Sequence, residues 1–326
     1  QGLKILKSKK NLGLKTLLDI CGVQSKPNVY HIGYLLGPRI NAGGRVGKST
    51  HGANLLINKN PKDVFKLASE LDIFNKERQL LEKELFDKIL FNIGNKIHDP
   101  VIIIDGKNWH EGVIGIVASK IKDKFNKPVI IITVSDEGIG KASARSVVGF
   151  DIGSAIISAT HEKILIKGGG HKMAGGFTIN INKLNDFKEF VFKRFQKIDI
   201  NKISKNIIYI DSEIAPTAIN YEFFKKINIL SPYGSGNPEP KFVINNVKPL
   251  KSYIVGKKHI KSILIGSDGS TLQSIAFNMA DSEISPYLLE NKRFLLNIVG
   301  KLTLNEWKGQ KNVEFIIDDI SVNKNN

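Results

Sequence analysis

Two arginines six residues apart, Arg39 and Arg45, have the type and spacing of a phosphate-binding pair. They stand in residues 31–52, a glycine-rich segment that we expect to be irregular because glycine permits close backbone approach and positive φ. A guanidinium binds phosphate through two parallel hydrogen bonds, which an ammonium group cannot do. Because the chain has only six arginines against 42 lysines, this pair indicates an anion site. The alternative is a structural pair that holds carboxylates or carbonyls.

The same segment is not a P-loop, although it contains Gly47-Lys48-Ser49. The motif G-x-x-x-x-G-K-[ST] requires a glycine five residues before the second glycine. That position is Ala42. We therefore exclude a P-loop nucleotide site.

A second candidate lies on a predicted strand, where Lys141, Ser143 and Arg145 alternate with alanines. Side chains two apart on a strand share one face. A hydroxyl and a guanidinium on one face suit a phosphate or another polar ligand. Alternation of this kind also occurs on any half-exposed strand.

The sharpest local signal is the run of three glycines at 168–170, followed by His171. Such a run is costly to order, and it typically lets a ligand reach backbone N–H groups. We predict that Gly169, Gly170 and His171 contact phosphates; the alternative is a flexible turn. A metal site is not indicated, since no carboxylates stand at ligand spacing from His171. His110, just before a predicted helix, either contacts an anion at that helix N-terminus or caps the helix.

Charge favours an anionic partner. The chain carries a formal net charge of +17, and the first 50 residues hold nine basic residues and one acidic residue. The net charge is +15 over residues 1–205 and +2 over 206–326. A concentration of positive charge in one part of a chain is typical of nucleic-acid binding. Lysine is, however, abundant throughout this chain, as are asparagine and isoleucine, so part of the charge reflects overall composition.

Several classes of protein are excluded or disfavoured. A single cysteine, Cys21, excludes an intramolecular disulfide and a cysteine-based zinc site. The sequence contains no apolar run of 18 residues, so no membrane-spanning helix is predicted. The first residues lack both a methionine and a signal-peptide core, so we expect a cytoplasmic protein whose coding sequence begins upstream.

Apolar periodicity predicts the elements that position these residues. A short helix near 14–21 precedes the glycine-rich segment, and steps of three and four residues predict one long helix over 61–95. Two β-branched runs, 101–105 and 128–134, flank a helix at 112–121 and indicate a parallel βαβ unit. Further strands are predicted at 140–146 and 174–181, and a helix at 184–196. This segment is an α/β domain.

The last third changes character. A strand at 207–211 and a helix at 221–229 precede a turn-rich linker at 231–240. Short strands then recur, which predicts a small β-barrel. They are expected near 241–247, 250–255, 260–266, 271–278, 293–303 and 312–320.

Five motifs in this order resemble the RecJ family of the DHH phosphoesterase superfamily, which are bacterial single-strand-specific exonucleases. They are LGPRINAGGR at 36–45, WHEGVIGIVA at 109–118, SAR at 143–145, GGH at 169–171 and PYGSGNPEP at 232–240. The resemblance covers essentially the whole chain. It begins near the end of the family's catalytic domain, and the family's Asp-His-His tripeptide does not occur in this sequence.

The resemblance implies a fold of class α/β and β. Residues 1–57 would be a remnant of the DHH domain with its Gly/Arg-rich loop, and residues 58–96 the connecting helix. Residues 97–200 would be the DHH-associated α/β domain, and residues 206–326 an OB-fold barrel.

The resemblance also implies an activity for the intact protein, hydrolysis of single-stranded DNA from the 5′ end with two Mn²⁺ or Mg²⁺ ions. The ions' ligands would lie in the missing DHH domain, so this chain alone would be inactive. Arg39 or Arg45, with Ser143 and Arg145, would hold the terminal phosphate. Gly169, Gly170 and His171 would hold phosphates near the scissile bond.

Single-stranded DNA is the expected partner, and the barrel would follow the strand, with its near-neutral charge a weaker track than residues 1–205. A monomer is expected, working with a single-strand-binding protein and a helicase. Three alternatives stay open: a non-catalytic nucleic-acid-binding chain, a nanoRNA or cyclic-dinucleotide phosphodiesterase of the same superfamily, and an inert remnant of a gene. A small-ligand enzyme would not need the barrel.

Overall fold

The computed structural model describes residues 1–24, 26–198, 207–290, 294–307 and 310–323. The chain forms two compact units, Gln1–Ile207 and Ile208–Asn326. The four-part division of the sequence analysis is finer than this and stays a prediction. Within the described residues, no helix is both long and apolar enough to cross a membrane.

The first unit begins with a group of helices around a small apolar core. Leu17, Leu18, Leu55 and Leu71 are fully buried in it. Its elements are α1 (Gly2–Lys7), α2 (Leu12–Ile20), a π-helical turn (His31–Leu36), α3 (Gly37–Val46), α4 (His51–Ile57) and α5 (Pro61–Asn92).

The expectation of an irregular, loop-like segment at 31–52 is wrong, because most of it is helical. None of its glycines has a positive φ, and Gly43 and Gly52 serve close packing. A Cβ on Gly43 would lie 2.9 Å from the carbonyl oxygen of Lys48, and one on Gly52 would lie 2.8 Å from that of Ile40. Arg39 and Arg45 are therefore helical residues of α3 and not loop residues.

The predicted long helix is confirmed as α5, which has 32 residues and so a length of about 48 Å. Asn60 caps it by accepting a hydrogen bond from the Lys62 N–H, and Pro61 occupies its first turn. A short 3₁₀ turn, Gly94–His98, leads from α5 to the sheet.

A five-stranded mixed sheet follows, in the order β1-β2-β3-β5-β4. The pair β1–β2 is parallel, as predicted for a βαβ unit, and the other pairs are antiparallel. The strands are β1 (Ile102–Lys107), β2 (Val129–Val134), β3 (Ile139–Arg145), β4 (Lys167–His171) and β5 (Ala174–Asn180). The helices are α6 (Glu111–Phe125), α7 (Ile152–His161) and α8 (Leu184–Gln196). Helices α6 and α8 were predicted, and α7 was not.

Each face of this sheet packs against different helices. Helices α5 and α6 cover the face that presents Ile104, Val129 and Ile131. Helices α7 and α8 cover the other face, where Ile130 and Ile132 are buried.

The second unit is a barrel-like sheet in the order β10-β11-β9-β8-β7-β6, closed by an additional pairing of β10 with β7. Its strands are β6 (Ser212–Glu213), β7 (Phe242–Val255), β8 (His259–Ile265), β9 (Thr271–Ala276), β10 (Leu296–Trp307) and β11 (Gln310–Val322), and its helices are α9 (Tyr221–Asn228) and α10 (Ser285–Leu289).

The barrel prediction is confirmed, with three differences. The strands expected at 241–247 and 250–255 are one strand, β7, whose register shifts between Pro249 and Lys251. The strand expected at 207–211 is instead the two-residue β6, and α10 was not predicted.

Candidate anion-binding groove

One face of the sheet is only half covered. Helix α6 packs against β2 and β3, whereas over β5 and β4 the same face is open to solvent. Gly176 shows this, because it is exposed although its strand β5 has neighbours on both sides. An open cleft of about 610 Å³ lies here and is named the groove below. Its walls and floor include Glu111, Lys141, Ser143, Lys167, Gly169, Gly176 and Thr178.

Strand register places the sequence-predicted residues in rows across this face. Arg145 pairs with Ala174, and Ala174 pairs with His171. The next row is Ser143, Gly176 and Gly169. The third row is Lys141, Thr178 and Lys167. Directly opposed residues on antiparallel strands point to the same face, so these rows form one surface.

The glycines of β4 and β5 divide between the two faces. A Cβ on Gly169 would meet no heavy atom within 4 Å, so this residue forms an open part of the groove floor. A Cβ on Gly170 would lie 2.6 Å from the Cα of Gly175, and one on Gly168 would lie 2.7 Å from Ile156 of α7. Gly168 and Gly170 are therefore required for packing on the covered face.

The glycine run is an edge strand, β4, and not the flexible turn that was the alternative interpretation. Hydrogen-bonded pairing with β5 extends the backbone, since Gly169 opposes Gly176 and Gly170 opposes Gly175. An edge strand leaves every second set of backbone N–H and C=O groups unpaired. Backbone donors therefore remain available here in an extended arrangement.

Arg145 is held beside the groove by hydrogen bonds to hydroxyl and carbonyl oxygens. Its Nε donates to Oγ of Ser119 at 3.1 Å, and its Nη1 donates to Oγ of Ser143 at 3.1 Å and to the Ala144 carbonyl at 2.8 Å. Ser119 lies on α6, so two elements fix one guanidinium. Burial lowers the pKa of Arg145, and the positive charge of Arg45 lowers it further.

Two glycines of α6 make this arrangement sterically possible. A Cβ on Gly115 would lie 2.8 Å from Oγ of Ser143 and 3.0 Å from Nη2 of Arg145. A Cβ on Gly112 would lie 2.2 Å from the carbonyl oxygen of Arg45. Gly112, Gly115 and Ser119 were not among the predicted site residues. Their spacing of three and four residues on one helix face is the signal that could have found them.

Arg45 approaches α6 from the end of α3. Its Nη1 donates to the carbonyl of Gly112 at 3.2 Å, and its charge acts on Arg145. Within the described part of the chain, neither arginine has a carboxylate within ion-pair distance, and nor does Lys167 of the third row. Cations gathered without carboxylates are stabilised by an anion.

Arg39 is placed differently. Its Nε donates to the Asp72 carboxylate at 2.8 Å, and its Nη1 donates to the Leu35 carbonyl at 3.0 Å. Both side chains are largely buried, at 15% and 12% exposure, and Lys76 also contacts Asp72. Arg39 therefore joins α3 to α5 and fits the structural alternative, whereas Arg45 lies with Arg145.

The two histidines have different surroundings. His110 caps α6, because its Nδ1 accepts a hydrogen bond from the Gly112 N–H at 3.1 Å. His171 is exposed at the end of β4, and its Nδ1 accepts from the Met173 N–H at 3.3 Å. In a neutral imidazole this leaves the proton on Nε2, so His171 can donate to a phosphate oxygen.

Metal coordination has no counterpart among the described residues. They contain no group of three or more His, Cys, Asp or Glu side chains that could hold an ion. The described residues therefore do not provide the ligands of a divalent metal centre.

Comparison with known proteins identifies both sheets. Residues 98–197 match the DHHA1 domain family and residues 210–319 match the RecJ OB domain family. The single-stranded-DNA-specific exonuclease RecJ of Bacillus subtilis is 30% identical over 332 residues, which is 99% of this chain. The chain is homologous to RecJ. Its α/β sheet is a DHHA1 domain and its barrel is a RecJ OB domain.

RecJ proteins of two further organisms give similar matches. RecJ of Escherichia coli is 29% identical over 94% of the chain. A crystal structure of RecJ from Thermus thermophilus with Mg²⁺ matches 98% of the chain with a TM-score of 0.81 and 26% identity, and a structure with Mn²⁺ matches equally well. The chain spans 41% of the B. subtilis RecJ, 54% of the E. coli RecJ and 47% of the T. thermophilus RecJ. It therefore covers about half the length of its relatives.

Proposed function

We propose that this chain is the substrate-binding part of a single-stranded-DNA-specific exonuclease that degrades DNA from the 5′ end. The supporting observation is the grouping of Arg45, Arg145 and Ser143 without a carboxylate, beside a glycine-floored groove. Such a group binds a phosphate strongly, because hydrogen bonds between a guanidinium and a phosphate are charge-assisted.

Each residue has a defined part in the proposed site. Arg145, fixed by Ser119 and Ser143, presents its guanidinium to the terminal 5′-phosphate, and Arg45 adds the second positive charge. A terminal phosphate carries more charge than an internucleotide one, so this pair prefers a 5′-phosphorylated end.

The opposite side of the groove holds the following phosphates. Gly169 lets the sugar–phosphate backbone of the DNA strand approach the sheet. His171 donates a hydrogen bond from Nε2 to a phosphate oxygen near the scissile bond. Gly170 contributes by allowing β4 and β5 to pack closely, because a Cβ on it would lie 2.6 Å from the Cα of Gly175.

Hydrolysis needs groups that the described residues do not supply. The relatives of known structure were crystallised with Mg²⁺ or Mn²⁺, and such ions supply a nucleophilic water and stabilise a leaving oxygen when bound. We place their ligands in a DHH domain of the intact protein. The 326-residue chain alone then binds single strands without cleaving them.

We also propose that the OB domain binds the single strand, as such barrels do. A monomer acting in the cytoplasm, together with a single-strand-binding protein and a helicase, belongs to the same proposal.

A binding experiment tests this function. The 326-residue chain is titrated with a 5′-phosphorylated single-stranded oligonucleotide and with the matching duplex, at two salt concentrations, while cleavage with Mn²⁺ is followed in parallel. We expect preference for the single strand, weakening with salt and no cleavage. Equal binding of duplex, or no binding, would overturn the proposed substrate, and Mn²⁺-dependent cleavage would overturn the division of labour.

A further inference from the structure

The third row of the groove, Lys141, Thr178 and Lys167, is not used by the terminal-phosphate site. Register places Lys141 opposite Thr178, and Thr178 opposite Lys167, on the face that carries Ser143 and Arg145. The row therefore offers two ammonium groups and a hydroxyl on one surface of the groove. All three are phosphate-binding groups.

The charges of this row are available to a ligand. Lys167 is exposed and has no carboxylate within ion-pair distance among the described residues. Lys141 pairs with Glu111 at 2.7 Å, but both side chains are more than half exposed. An exposed pair of this kind contributes little, so a phosphate can compete for Lys141.

The middle row separates the third row from Arg145 without blocking the path. Residues two apart on a strand are about 7 Å apart, so the third row lies about 14 Å from the Arg145 row. Gly169 and Gly176 of the middle row carry no side chain, and a Cβ on Gly169 would meet nothing within 4 Å. A sugar–phosphate backbone can lie across them.

We propose that Lys167 and Thr178, aided by Lys141, form a second phosphate subsite that holds an internucleotide phosphate of the strand whose 5′ end is at Arg145. This deepens the proposed function and rests on it. The subsite selects for length, because a mononucleotide bound at Arg145 cannot reach it.

The test combines variants of the full chain with neutralised linkages in the DNA. The probes are a 5′-phosphorylated single strand and copies in which one internucleotide linkage at a time is an uncharged methylphosphonate. Lys167→Ala and Thr178→Val are compared with Lys193→Ala, which removes an exposed lysine of α8 on the other side of the sheet. We expect Lys167→Ala to weaken binding of the unmodified strand about tenfold, while Lys193→Ala changes it little.

The linkage scan identifies the contact. We expect a methylphosphonate at one position to weaken DNA binding by the wild-type chain but not by Lys167→Ala. The variant has already lost the lysine that contacts the phosphate whose charge is removed. The slope of log affinity against log salt should fall by about 0.7 in Lys167→Ala, the value for one phosphate contact on a single strand. Binding of a deoxynucleoside 5′-monophosphate should be unchanged in this variant.

Two results separate failure of this subsite from failure of the proposed function. If Arg145→Ala weakens binding but Lys167→Ala behaves like Lys193→Ala, the second subsite is wrong and the proposed function stands. If Lys167→Ala weakens mononucleotide binding as much as it weakens strand binding, Lys167 belongs to the terminal site and the second subsite is also wrong. No binding of single strands by the wild-type chain would overturn both.

Discussion

The guanidinium of Arg145 donates a hydrogen bond from Nε to the hydroxyl oxygen of Ser119, 3.1 Å away, and so joins strand β3 to helix α6. The same hydroxyl donates its one proton to the Gly115 carbonyl at 3.1 Å, which leaves its lone pairs for Arg145. A helix turn therefore sets the position of the arginine that we assign to the terminal phosphate. A positioned guanidinium loses less entropy when it binds than a free one.

Gly115→Ala should weaken DNA binding without destabilising the fold. The added Cβ would lie 2.8 Å from Oγ of Ser143 and 3.0 Å from Nη2 of Arg145, so the guanidinium must move. Alanine favours a helix over glycine by about 1 kcal/mol, which offsets the strain. We expect an unchanged or higher melting temperature and about a tenfold loss of affinity for a 5′-phosphorylated strand. Equal affinity of variant and wild type would show that Arg145 need not hold this position.

Gly112→Ala, in contrast, should destabilise the fold. Its Cβ would lie 2.2 Å from the backbone carbonyl oxygen of Arg45, and backbone cannot move aside cheaply. We expect the free energy of unfolding to fall by about 1–3 kcal/mol, measured by urea denaturation. Gly44→Ala on α3 is the matched control, since its Cβ would meet nothing within 4 Å. Equal stability of the two variants would contradict the close contact between α3 and α6.

Asp72→Asn should remove a pH-dependent part of the stability. Burial raises the pKa of Asp72, but hydrogen bonds and charges from Lys76 and Arg39 outweigh this effect, so the pKa lies below the ordinary value of 3.8. The charged form is thus favoured in the folded state, and its contribution is present above pH 3.8 and lost as pH falls through the lower, folded value. We expect wild type to exceed Asp72→Asn in stability at pH 7, and the difference to shrink below pH 4. A difference that grows on acidification would contradict this assignment.

Substitutions of Arg45 and of Arg39 should differ in their effect on DNA affinity. Arg45→Ala removes a charge that acts on Arg145, so we expect about tenfold weaker binding of a 5′-phosphorylated strand. Arg39→Lys keeps a cation beside Asp72, and we expect lower stability but little change in affinity. Affinity titrations and thermal melts of both variants distinguish these outcomes. A larger loss of affinity in Arg39→Lys than in Arg45→Ala would mean that Arg39, and not Arg45, binds the phosphate.

The sequence predicts most of the framework and part of the site. Helix α5 and strands β1 and β2 follow from apolar periodicity, which acts locally and leaves a direct trace in the residue order. The alternation at Lys141, Ser143 and Arg145 likewise places them on one face of β3. Glycine is harder to interpret, because it serves both turns and close packing.

The errors share this cause. Residues 31–52 were expected to be irregular, and no strand was predicted at 167–171, yet glycines in both segments allow close packing, as Gly43 and Gly170 show. Such contacts are tertiary and leave no local signal. The partner of Arg39 is equally hidden, since Asp72 is 33 residues away.

The measurement that tests the central proposal most directly is the preference for a 5′-phosphate, in wild type and Arg145→Ala. The dissociation constants of one single strand with a 5′-phosphate and with a 5′-hydroxyl are compared for both proteins. We predict that wild type prefers the phosphate by about tenfold or more, and that Arg145→Ala binds both strands with nearly equal affinity. An undiminished preference in Arg145→Ala would contradict the assignment of the terminal phosphate to this guanidinium.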